Sequence, residues 1–387
     1  MKEKLIIKNF GPIKSVDLDL GKITVLIGEQ ATGKSTIAKV LSMCRYFSYI
    51  IDNKNPLVYR SRFIEYGLAE WNLKGFENKN TFISYRNSDY SFQVKASLDV
   101  NNNLEFFTQT LIPKSDEFIK LLEKLKSFKV DKLINPNIED IDTWDLPYNF
   151  LTTDVKKVMS NPFFIQTERV LQSIFSLGKS SIQNLSDSLF NQFALLDGIF
   201  KKFKSETVIE PLDLIYKNIN GVAYFKGEKD KEFYKLSQGA SGYQSAIPIV
   251  LAVKNYTEFE HRKRTFIVEE PEINLFPSTQ KRLLQFFVEN ININKHSFLI
   301  PTHSPYFLSA INDLLLAHKR GQINEKETSD IIEKDFWLDS KDLSVYQLID
   351  GKRLNVFNKE TGLISDNIID DVSDKMNEEF EKLLDIE

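Results

Sequence analysis

Gly28-Glu29-Gln30-Ala31-Thr32-Gly33-Lys34-Ser35 fits the pattern G-x-x-x-x-G-K-[ST] at every fixed position. Residues 23–27, Ile-Thr-Val-Leu-Ile, form an apolar β-branched run of strand length, and residues 35–41 carry the spacing of an amphipathic helix. A strand feeding a glycine loop feeding a helix start aims several backbone N–H groups and the positive helix end at one spot. That arrangement suits a phosphate chain. Lys34 is expected to reach the β/γ-phosphates, Ser35 to ligate Mg²⁺, and Thr36 to complete the cradle on the first helical turn.

With 387 residues, the chain has room for one large α/β domain with insertions, or for two domains. Its 42% apolar and 27% charged content is that of a globular protein. The net charge of −4 argues against coating nucleic acid broadly, because such affinity comes from neutralising phosphates. The single cysteine, Cys44, falls on the helix after the loop and reads as a core thiol. Residues 1–7 show no apolar signal core, and no window reaches the ~20 apolar residues of a membrane span, so a cytoplasmic protein is expected.

Ahead of the loop, residues 5–10 and 16–20 read as two strands joined at Gly11-Pro12. Residues 57–73 read as a helix, and the runs 81–85, 90–94 and 104–107, separated by Asn/Asp/Ser turns, as a β-meander. Residues 113–161 open on a charged helix at 116–128 and then pass into Asn135-Pro136-Asn137 and an acidic stretch. No heptad is sustained there, which excludes a long coiled-coil arm. A short strand at 163–166 ends in Thr167-Glu168-Arg169, two helical stretches lead to about residue 203, and a hairpin is expected from 221–225 and 232–236.

Residues 264–268 form a second buried strand ending in Glu269-Glu270-Pro271-Glu272. Two acids at such a strand end need a cation. Glu269 would hold Mg²⁺ and Glu270 would polarise the attacking water. A third strand near 295–300 ends in Thr302-His303-Ser304-Pro305, where a neutral imidazole can bond a γ-phosphate oxygen or that water. Ligands of open parallel sheets collect at such carboxyl ends. Leu236-Ser237-Gln238-Gly239-Ala240-Ser241-Gly242-Tyr243-Gln244-Ser245 precedes an apolar helix and offers a second anion site, suited to the nucleotide of a partner chain.

Together these residues resemble the ATP-binding-cassette ATPases of SMC proteins, RecF and the OLD-family nucleases, over most of the chain. The resemblance implies a P-loop NTPase head of the α/β class with a mixed sheet, an N-terminal antiparallel β-subdomain and a helical insertion lobe, divided at 1–112, 113–220 and 221–387. It implies ATP and Mg²⁺ as cofactors, with Ser241, Gly242 and Gln244 as signature residues acting on ATP held by the opposite subunit. Leu236-Ser237-Gln238-Gly239 is a competing register. Asn274 to Pro277 match the D-loop, His303 the switch histidine, and Gln166 the Q-loop position at the metal.

Gln30-Ala31 stands where Asn-Gly is usual, Glu269 where Asp is usual, and Phe276 where His is common, which leaves binding expected and hydrolysis expected to be slow. The compact form is similar to phage-defence ATPases such as those of Septu and PARIS. That likeness implies an ATP-gated homodimer, or higher oligomer, serving a separate nuclease or toxin. About 80 residues follow His303, short of the ~100–150 of a TOPRIM-type catalytic domain, so no nuclease is expected in this chain. The alternative is a RecF-like clamp on DNA, with Lys201-Lys202-Phe203-Lys204 and His261-Arg262-Lys263-Arg264 as basic clusters. A transporter motor is a third reading, weakened by Glu270 to Pro277 and the long insertion between residues 111 and 163.

Overall fold

The computed structural model describes residues 3–46, 61, 63–133, 162–171, 187–365, 368–384 and 386. In chain order it contains β1 (Glu3–Phe10), β2 (Ile13–Leu20), β3 (Ile23–Gly28), α1 (Lys34–Arg45), β4 (Phe82–Arg86), β5 (Tyr90–Leu98), β6 (Leu104–Pro113), α2 (Asp116–Leu133) and β7 (Phe163–Ile165). There follow α3 (Asp187–Phe200), β8 (Thr207–Ile209), β9 (Leu214–Ile219), β10 (Val222–Gly227), β11 (Tyr234–Lys235) and α4 (Ser241–Lys254). The chain continues with β12 (Thr265–Val268), α5 (Pro277–Asn292), β13 (Ser297–Thr302), α6 (Pro305–Gly321), β14 (Leu343–Ile349), β15 (Lys352–Asn355) and α7 (Ile368–Leu384). Two compact units result, one of residues 1–20, 31–163 and 350–353, the other of 21–30, 164–349 and 354–387.

The first unit is built on antiparallel pairing. β1 lies between β2 and β4, and β5 pairs with β4 and β6, so the hairpin and the meander share one run of strands. Leu5, Ile7, Val16, Leu18, Ile83, Phe92 and Val94 are buried at alternate strand positions, as a half-covered sheet requires. The end of α1 is pinned by polar contacts. Arg45 pairs with Glu3 at 2.5 Å, Glu3 also bonds the Tyr85 hydroxyl, and Tyr90 Oη donates to the Cys44 carbonyl at 3.0 Å. Cys44 is buried, and burial pushes its thiol far above the usual range, as expected of a core residue.

The second unit carries a parallel sheet. β3 is paired with β14 on one side and β13 on the other, and β13 pairs with β12. Phe266 on β12, Phe298 on β13 and Phe287 on α5 stack in series, with ring centroids 5.3 and 4.6 Å apart. These strands are apolar on both faces, which is why 23–27 and 264–268 read as continuous runs rather than alternations. A separate antiparallel sheet in the same unit has the order β11-β10-β9-β8.

Several elements differ from the sequence expectation. The main partner of β10 is β9, through the two-residue turn Asn220-Gly221, and the expected pairing with 232–236 shrinks to Tyr224–Lys235 and Phe225–Tyr234. Both turn residues have positive φ, 51° and 86°, which Asn and Gly tolerate. Of the helix expected at 57–73, the described part is a π-helical turn at Phe63–Gly67 and a short α-helix at Leu68–Glu70, and the chain then reverses through Asn72 at φ 54°. Its start, and the stretch 135–142, lie outside the described residues, as do 172–186 of the two helical stretches. The helix expected from 246 begins earlier, at Ser241.

Candidate active site

The register of the parallel strands brings three carboxyl ends together within the second unit. Thr302 of β13 is opposite Ile27 of β3, and Leu299 of β13 is opposite Ile267 of β12. Gly28, Glu269-Glu270 and His303 therefore follow directly from three neighbouring strand ends. The phosphate loop departs from that edge with Gly28 at φ 152° and Ala31 at φ 60°, then enters α1 through Gly33 at φ 102°. Ala31 adopts the left-handed conformation that the more usual glycine accepts freely, at a cost of roughly 1–2 kcal/mol. Gly33 could not carry a Cβ without meeting Ile13 at 3.0 Å.

The first turn of α1 holds no acidic residue, and its N-cap is a glycine, so no side chain caps that end. Lys34 is buried and Ser35 exposed. Left-handed glycine turns leading to a helix start without acids fit an anionic phosphate chain. For Mg²⁺, no group of three His, Cys, Asp or Glu that could hold a metal occurs among the described residues. Ser35 is exposed on the first turn of α1 and Glu269 is buried after β12, and a hydroxyl and a carboxylate are each oxygen donors of the kind Mg²⁺ takes. Gln166, the third residue expected at the metal, is buried at the end of β7.

Glu269 is 5% exposed, and its N–H bonds the Ile165 carbonyl at 2.9 Å. Glu270 is different. Its side chain is one-third exposed, its backbone is left-handed at φ 43°, and its N–H bonds the Pro301 carbonyl at 2.9 Å. The turn places Glu270 Oε1 3.6 Å from His303 Nε2, a distance at which both groups can address one water. His303 is held from behind by Glu272, whose Oε1 accepts the His303 N–H at 2.7 Å and the Thr302 hydroxyl at 2.8 Å. Burial raises the Glu272 carboxyl above its ordinary value, against the lowering effect of those two bonds.

A raised folded-state pKa means that ionised Glu272 opposes folding at neutral pH, and that this penalty fades as pH falls through the folded value. Glu272→Ala leaves the buried Thr302 hydroxyl and the partly buried His303 N–H without their acceptor and is expected to lower the unfolding free energy by about 2 kcal/mol. Glu272→Gln keeps one carbonyl acceptor, sheds the buried charge and should cost less. Urea denaturation at neutral pH checks this, and equal losses in the two variants would contradict it.

The segment before α4 separates the two signature registers. Ser237 lies in a 3-10 turn, whereas Ser241 is exposed in the first turn of α4. Gly242 is buried, and a Cβ there would come within 2.6 Å of the Asn274 carbonyl, so close approach of the 274–277 segment already demands glycine. Gln244 turns back to bond the Gly239 carbonyl at 2.9 Å. Phe276, two residues after Asn274, is 75% exposed.

One residue had no assigned role in the sequence reading. Arg169 is 1% exposed, and its guanidinium donates to four main-chain carbonyls, those of Ser245, Gln166, Glu269 and Glu270. Burial lowers its pKa to about 10, while Glu272, Glu269, Glu270 and Glu168 pull the other way, so it stays charged at neutral pH.

A strand, a glycine-rich phosphate loop and a helix, with two acids and a histidine on neighbouring strand ends, define a P-loop ATPase. The chain belongs to the AAA ATPase domain family, whose profile matches residues 1–161 and 72–308. Among solved structures it is similar to the SMC head domain from Thermotoga maritima, at 13% identity and a TM-score of 0.42 over 92% of this chain and 99% of that one. It is also similar to an SmcHead bound to the C-winged helix domain of ScpA, at 12% identity and 0.43 over 92% and 98%. A third is the Smc head domain with an extended coiled coil bound to the C-terminal domain of ScpA derived from Pyrococcus furiosus, at 12% and 0.39 over 98% of each chain. No curated protein matches the sequence significantly.

Proposed function

We propose that the protein is an ATP-gated dimerisation switch that hydrolyses ATP slowly and passes its state to a separate effector. The observation that carries this is the convergence of Gly28, Glu269-Glu270 and His303 on neighbouring strand ends, with the water-facing pair Glu270 and His303 3.6 Å apart. In this reading the loop from Gly28 to Thr36 binds the phosphates, with Lys34 as its cation. Ser35, Glu269 and Gln166 are the residues that would hold Mg²⁺, which would supply charge neutralisation to the phosphoryl oxygens. Glu270 accepts a proton from the attacking water, and His303 orients it. Ser241, Gly242 and Gln244 serve the nucleotide of a second copy. The exposure of Ser241 and Phe276 on neighbouring segments supports a face that a second copy covers.

An effector of nuclease or toxin type, in anti-phage defence, is the partner we favour, on the strength of the motif resemblance. No helix among the described residues is long and apolar enough to cross a membrane. The DNA-clamp alternative draws less support. Lys201 pairs with Asp197, Lys202 with Glu260, and Arg262 with Glu260, so both basic clusters are partly neutralised locally. ATP-strengthened, salt-dependent DNA binding would favour the clamp.

The test of the dimer is Ser241→Arg. ATP binding, a property of the loop in the same chain, should stay within about twofold of wild type, while hydrolysis stops because the bulky cation blocks the second copy. Normal hydrolysis by this variant would overturn the assignment of Ser241.

A further inference from the structure

We infer that Arg169 is a positioning residue for hydrolysis, holding Glu270 in the backbone conformation from which its carboxylate reaches the water. The inference rests on the ATPase reading and names the device that aims its general base. Glu270 sits at φ 43°, a left-handed backbone region that a residue with a side chain keeps only when its surroundings hold it there. Here the holding groups are identifiable. Arg169 Nη1 donates to the Glu269 carbonyl at 2.7 Å and Nη2 to the Glu270 carbonyl at 2.7 Å, fixing the peptide planes on both sides of the Glu270 α-carbon. The Glu270 N–H is fixed in turn on Pro301 of β13.

The other two bonds anchor the arginine itself. Nη1 also reaches the Gln166 carbonyl, and Nε reaches the Ser245 carbonyl, each at 3.0 Å. Ser245 lies in α4 just before Pro248, which has no N–H to give the Gln244 carbonyl and crowds that turn. One planar fork thus joins three segments remote in sequence. A buried guanidinium used on carbonyls alone is costly to desolvate, and a packing role would be met by an apolar side chain. Lysine keeps the charge but offers three tetrahedral donors, and cannot span four carbonyls.

The experiment compares wild type, Arg169→Lys, Glu270→Gln and the double variant, with single-turnover hydrolysis expressed per ATP site titrated, so that misfolded protein does not count. For Arg169→Lys we expect ATP affinity within about twofold of wild type and a rate per site lowered ~10–100-fold, the scale of an ångström-level misplacement. In the Glu270→Gln background the same change should cost nothing further, because the group it aims is gone. Should Arg169→Lys fail to fold, Arg169→Gln, with its planar amide, is measured the same way. A rate per site within twofold of wild type, or an undiminished loss on top of Glu270→Gln, overturns the inference and leaves the ATPase reading standing. Wild-type hydrolysis by Glu270→Gln would instead overturn that reading.

Discussion

Glu270→Gln is expected to bind ATP with wild-type affinity and to hydrolyse it ~10²–10⁴-fold more slowly, the usual cost of removing a general base. The amide keeps the volume of the carboxylate but cannot take a proton. In the proposed function, ground-state contacts to the phosphates come from the loop and Lys34, so affinity and rate should separate. The left-handed turn at Glu270 is held by main-chain bonds to Pro301 and Arg169, neither of which involves the side chain that changes. Single-turnover phosphate release alongside a calorimetric titration reads both quantities. A parallel loss of affinity and rate would place Glu270 among the binding groups.

Lys34→Ala is expected to abolish measurable ATP binding. Lys34 is the only cation between Gly28 and Ser35, and it opens α1 immediately after the left-handed Gly33. A charge-assisted contact is worth roughly 1.5–3 kcal/mol, and loss of charge next to a polyanion adds to that figure. Because α1 is seated by Ile37, Val40 and Leu41, all buried, the variant should fold. Calorimetry showing affinity within about twofold of wild type would rule out the role given to Lys34.

What was legible in the sequence was placement that is encoded within one short segment at a time. The loop at 28–35, the acids at 269–270 and the histidine at 303 each sit at the end of an apolar run, and strand ends are where parallel sheets bind ligands. The short antiparallel sheet at 207–235 is legible in part: Asn220-Gly221 is a strong hairpin signal, but the β9 run before it, Leu-Ile-Tyr-Lys-Asn-Ile, alternates too weakly to mark a strand by itself. Arg169 was not legible. Its four partners are carbonyls, which every residue possesses, and they come from segments up to 101 positions away, so no spacing encodes them. Gly242 is a middle case. A glycine at a helix start suggested a phosphate contact, whereas its nearest constraint is the Asn274 carbonyl of its own chain.

In the proposed switch, ATP held by one copy and contacted by Ser241-Gly242 of another closes a dimer that hydrolysis by Glu270 reopens. Light scattering of purified Glu270→Gln, with and without Mg-ATP and with Lys34→Ala as the open control, tests it most directly. The expected result is a doubled mass, or a multiple of it, for Glu270→Gln only when Mg-ATP is present, and no change for Lys34→Ala. The same mass in both conditions, from a Glu270→Gln protein that still turns over ATP, would contradict both the switch and the catalytic assignment.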